Sequence, residues 1–193
     1  MIYGMKKYFS PSYNVYIMRK EVLPNPKLLC KAFRERVYEY YIKPAKNISA
    51  FAQGVLCSTL IDFLAKILYP NKGVGARIRE FLVKNISFSK ENAKSFYYYV
   101  RNGLIHEGRV KCGCYIDNEI EKTVQITEGV LKFNPEMILK EVEIWLKNYL
   151  KKVEKGGDTY QITRNYIEKN ILDEDLKAIE ERDNGNMFPC KLF

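Results

Sequence analysis

Between Pro44 and Pro70 lies the stretch that most constrains the fold. Ile48, Ala52, Val55, Leu56, Leu60, Phe63, Leu64 and Ile67 recur at helical spacing, so the sequence predicts one long helix from about Ala45 to Leu68, stopped by Pro70. A helix this apolar belongs at the centre of a helical protein, with other helices packed on it. Ser58, Asp62 and Lys66 interrupt it at four-residue steps and place a polar line on one face. That line is either a surface Asp62–Lys66 pair, worth a few tenths of a kcal/mol, or a polar face turned toward a second helix. The same interruptions keep the run short of the roughly 18 uninterrupted apolar residues of a membrane span. The first residues lack the pattern of a secretory signal, and a cytoplasmic protein without a membrane partner is expected.

Around this helix the pattern is mainly α. Residues 1–26 read as an extended N-terminal arm with one strand-like run, Asn14 to Leu23. Helices are predicted over Lys27–Ile42, with Pro44 resetting the chain, over Ala76–Asn85, from an N-cap at Ser89 to a left-handed Gly108, and over Met137–Val153 after Asn134-Pro135-Glu136. Residues 110–133 alternate and carry β-branched side chains, which predicts a small β-hairpin inserted after the fourth helix. Residues 156–193 are expected to form a C-terminal helical appendage. It has a capping-box pattern at Asp158-x-x-Gln161, an acidic helix from Asp173 to Arg182, and an apolar end, Met187–Phe193, expected to pack against the rest. A helical domain over 27–155 with two appendages follows.

Charge is unevenly placed. Residues 1–111 carry a net +13 and residues 112–193 a net −4, which together give the +9 of the chain. A basic field of this size attracts polyanions, so RNA or DNA is the expected partner class. The five cysteines, Cys30, Cys57, Cys112, Cys114 and Cys190, are odd in number and follow no disulfide framework, which predicts reduced thiols.

The only histidine, His106, sits in the basic part at the end of Tyr97-Tyr98-Tyr99-Val100-Arg101-Asn102-Gly103-Leu104-Ile105-His106. Histidine alone titrates near neutral pH without perturbation, so acid–base chemistry here points to it. An RNA phosphodiester is cleaved without metal when a base removes the 2′-hydroxyl proton, an acid protonates the leaving oxygen and a cation steadies the charged phosphorane. His106 fits the first two roles and Arg101 the third. Tyr98, Asn102 and His106 follow at four-residue steps. Arg101 and His106 lie about 140° apart on an ideal helix, a gap for arginine reach or bending at Gly103 to close. One imidazole cannot be base and acid in the same step, so a two-fold homodimer that joins two such helices is expected.

Arg101-Asn102 followed by His106 resembles the Arg-x4–6-His signature of the HEPN superfamily, whose members often carry a small polar residue after the arginine. The helix order over roughly residues 27–152 is similar too. The resemblance implies a HEPN-like helical bundle and a metal-independent, dimeric endoribonuclease of defence or toxin–antitoxin systems. It implies no cofactor, and it implies an antitoxin or other regulatory partner. It makes Arg101 and His106 catalytic, with Asn102 orienting the site, and matches the polar residue of the second helix to Ser58 or Asp62. Tyr98, Arg109 and Lys111 are candidates for RNA contact.

Three other readings stand beside it. Cys112, Cys114 and His106 would make a three-ligand zinc site, although buried hairpin thiols also account for the cysteines. The domain could be a non-catalytic nucleic-acid-binding or dimeric interaction module, its basic surface acting alone. The acidic segment 173–183 could fold over the basic cleft.

Overall fold

The computed structural model describes residues 7–183. Among them the chain forms two compact units, one of residues 7–36 with 152–183 and one of residues 37–151. Both boundaries fall inside helices, so the expected helical domain 27–155 contributes residues to each unit.

In the first unit a two-stranded antiparallel ribbon, β1 (Tyr8–Ser10) and β2 (Tyr13–Asn14), leads into helix α1, an α-turn Val15–Ile17 continued by a π-turn Met18–Val22. The strand-like run expected from Asn14 is therefore helical. Asn14 caps it, its side chain accepting from Tyr16 N–H and Ile17 N–H, and Val15, Met18, Val22 and Leu23 are buried at helical spacing. The run's β-branched residues suggested a strand, but cap and burial decide for helix. Helix α2 opens with Pro26–Val37. The C-terminal segment is one helix, α7: Asp158–Ile167, a π-turn Glu168–Leu172, then Asp173–Asp183. Its N-cap is Gly157 rather than Asp158, so no capping box forms. The acidic end is tied down inside this unit, Asp173 to Arg19 and Asp175 to Lys7. The apolar end at 187–193, and Cys190, lie outside the described residues.

The second unit holds the rest of α2, a π-turn Tyr38–Ile42 and a last turn Lys43–Ala45. Pro44 sits within the helix, and the wide turn before it accommodates the missing N–H. Helix α3 (Ala50–Leu68) starts at the Ser49 cap, later than expected, because Lys46 is extended and Asn47 left-handed. Mean hydropathy 1.5 makes it long and apolar enough to cross a membrane, but half of it is buried inside the protein, as a central helix must be. Helix α4 (Val74–Asn85) packs on it and buries Ile78, Phe81 and Leu82. Helix α5 spans 90–107: Lys90–Ser95, a π-turn Phe96–Arg101, and Asn102–Glu107. Ser89 caps its start and left-handed Gly108 ends it, where the sequence places them.

After α5 comes a three-stranded sheet rather than a lone hairpin. Strands β4 (Val124–Thr127) and β5 (Val130–Phe133) form a hairpin across Glu128-Gly129, both with positive φ, and β3 (Cys114–Ile116) runs parallel to β5 on its other side. Phe133 packs with Phe88 and Phe96 at centroid distances of 5.6 to 6.3 Å, which fixes the sheet to α5. Helix α6 (Pro135–Glu154) begins with Asn134 Oδ1 accepting from Met137 N–H.

Candidate functional site

Of the polar line of α3, Asp62 reaches α5. Gly54 permits the approach, since a Cβ there would stand 2.6 Å from Ile116 Cδ1 and 3.0 Å from Leu104 Cδ1. Two turns along, Asp62 Oδ2 accepts from Arg101 Nη2 at 2.9 Å. Asp62 Oδ1 accepts from Arg77 Nε at 3.1 Å and Arg77 Nη2 at 2.7 Å. Both Asp62 oxygens are taken by Arg77 and Arg101, and among the described residues no Asp62–Lys66 ion pair forms. The side chains of Arg77, Arg101 and Asp62 retain only 12%, 13% and 22% of their accessible surface. An isolated carboxylate in so apolar a helix is costly to bury, and two guanidinium groups compensate it.

Arg101 is the hub. Its Nη1 lies 3.0 Å from Asn102 Oδ1 and 3.0 Å from the exposed His106 Nε2, so the arginine side chain closes the angular gap between positions 101 and 106. Arg101 Nε is buried without a partner. Counting Asp62, Arg77 and Arg101, the cluster is net cationic beside the His106 ring.

Backbone features hold this helix end. The π-turn closes with Asn102 N–H donating to Tyr97 C=O, and Lys111 N–H returns to Tyr99 C=O at 3.0 Å. At left-handed Gly108 the helix ends with the N–H groups of both Gly108 and Arg109 bonding back to Gly103 C=O. Gly103 is required by a close approach: its Cβ would stand 2.2 Å from the Arg109 carbonyl oxygen.

The structure thus brings together Asp62, Arg101, Asn102 and His106. Ser58, one turn before Asp62, is fully buried with its Oγ unpartnered and bonds to none of them. Tyr98 is exposed beside Tyr97 and under the Arg79 guanidinium, 5.9 Å from its ring centroid. Arg109 and Lys111 both pair with Glu107, whose carboxyl these contacts, Lys111 first, hold below the usual range. Among the described residues no group of three or more His, Cys, Asp or Glu is placed to hold a metal, and Cys112 is exposed while Cys114 is buried. Arg77 is the participant that sequence reading missed. The available signal was Asp62 itself, the sole acidic residue of its helix, which demanded cations from elsewhere.

Comparison with protein-family models, with curated proteins and with solved structures yields no match to this chain.

Proposed function

We propose that this protein is a HEPN-type, metal-independent endoribonuclease, working in the cytoplasm in a defence or toxin-type response. The observation that carries the reading is the single Arg101 guanidinium that gathers Asp62, Asn102 and His106 at the end of one helix. In the proposed reaction an imidazole takes the 2′-hydroxyl proton, Arg101 steadies the phosphorane, and a second imidazole protonates the leaving 5′-oxygen. With one histidine per chain, the second comes from a two-fold partner copy, which makes the active form a homodimer with a composite cleft. An antitoxin-like partner would restrain it. The test compares wild type with Arg101→Ala and His106→Ala on single-stranded RNA in EDTA. Both variants should lose cleavage while keeping the wild-type elution volume in size-exclusion chromatography. Equal cleavage by all three proteins would overturn the proposal.

A second reading is a non-catalytic RNA-binding or dimeric interaction module. It is favoured by one observation: Arg101 spends donors on Asp62, Asn102 and His106, and its Nε is buried. In that case RNA binding falls steeply with salt and His106→Ala leaves it unchanged.

A further inference from the structure

Arginine carries only donors, so the 3.0 Å contact from Arg101 Nη1 makes His106 Nε2 the acceptor and puts the ring proton on Nδ1. Neutral imidazole free in water favours the opposite tautomer, so the contact reverses the ordinary preference. What aims Nη1 at the ring is the way Asp62 is shared. Guanidinium–carboxylate pairs favour two parallel hydrogen bonds. Arg77 occupies Asp62 Oδ1 through Nε and Nη2 and thereby denies Arg101 that two-point grip. Arg101 is left with one bond to Oδ2, an unpartnered Nε, and an Nη1 directed at Asn102 and His106. The orphaned Nε is thus accounted for by the geometry of the second arginine.

We propose that Arg77 is a positioning residue: through Asp62 and Arg101 it holds His106 in the Nδ1–H tautomer and reserves the Nε2 lone pair as the base of the site. The consequence for catalysis rests on the ribonuclease reading. A phosphate that draws Arg101 Nη1 onto its own oxygens uncovers Nε2, so the group that binds the substrate's charge also releases the base. Until then the base is covered by a hydrogen bond.

A chain with one histidine allows a direct test. Long-range proton–nitrogen NMR of ¹⁵N-labelled full-length protein, at a pH where the ring is neutral, reads the tautomer without assignment. Wild type should show Nδ1 protonated and Nε2 bare. Arg77→Gln frees Oδ1, lets Arg101 grip Asp62 at two points, and should raise the Nε2–H population at least threefold. Arg77→Lys, which keeps the charge but not the two-point bond, should fall between. If Arg77→Gln does not fold, the Arg77→Lys shift carries the same comparison. A wild-type ring protonated on Nε2, or an unchanged tautomer in the folded Arg77 variants, would overturn the proposal. No RNA is present in this measurement, so its failure is distinguishable from failure of the ribonuclease reading, which is judged by cleavage in EDTA.

Discussion

Asp62 Oδ2 accepts a hydrogen bond from Arg101 Nη2 at 2.9 Å, joining positions 39 apart in the chain and locking the central helix to the histidine helix. Without Asp62, two mostly buried guanidinium groups lose their counter-charge. Asp62→Ala and Asp62→Asn, the latter keeping one acceptor oxygen but turning an NH2 donor toward the other guanidinium, are therefore each expected to destabilise the protein by about 2–4 kcal/mol. Urea unfolding followed by circular dichroism measures both. Midpoints equal to wild type would mean that the bridge does not form in solution.

Gly103 and Gly108 lie five residues apart and should respond differently to alanine. At Gly103 the new methyl meets a backbone carbonyl at 2.2 Å, which cannot swing aside as a side chain would. A loss of about 2–3 kcal/mol is expected, with displacement of the Lys111–Tyr99 bond. Gly108 faces open space and has only its φ of +64° to lose, about 1 kcal/mol. Thermal melts of the two variants should rank them in that order.

The thiols should react unevenly. Burial pushes Cys57 far up, burial with Glu154 beside it raises Cys30 to about 11, and burial with Cys112 nearby raises Cys114. Cys112 alone among these is exposed. In a Cys190→Ser background, brief iodoacetamide treatment of native protein should alkylate Cys112 and spare the other three, as read by peptide mass mapping. Equal labelling of Cys57 would contradict the buried position of the central helix.

Glu141 introduces a pH dependence of known sign. Burial raises its carboxyl above the ordinary value, so the native state holds that proton more tightly than the unfolded chain does. Its contribution to stability is present below the unfolded pKa and is lost as pH rises through the folded one. Glu141→Gln should thus be more stable than wild type at pH 7, with the difference gone near pH 3. A variant less stable at neutral pH would reverse the assigned sign.

The elements that position the motif were legible because their signals are local. Ser89 as cap, Gly108 as left-handed stop and the apolar spacing of α3 depend on neighbours within a turn or two. Arg101, Asn102 and His106 could be singled out for the same reason, and Asp62 because a charge in an apolar helix is conspicuous. Arg77 was not legible, since its role depends on how α4 packs across α3, a tertiary fact without periodicity. The π-turns were hidden likewise, because one extra residue in the hydrogen-bond ladder leaves no mark in the pattern of side chains. The sheet misled for another reason: alternation identifies strands, whereas the parallel partner of β5 is chosen by the crossover of residues 117–123.

The most direct measurement uses a single-stranded DNA oligonucleotide carrying one ribonucleotide, incubated with wild-type protein in EDTA. A 2′-hydroxyl nucleophile activated by His106 predicts one cut, immediately 3′ of the ribonucleotide, with a 2′,3′-cyclic phosphate on one product and a 5′-hydroxyl on the other. His106→Ala should give none. Cutting of the all-deoxy strand, cutting elsewhere in the chimera, or no cutting of the chimera or of all-RNA strands by wild type would contradict the ribonuclease assignment.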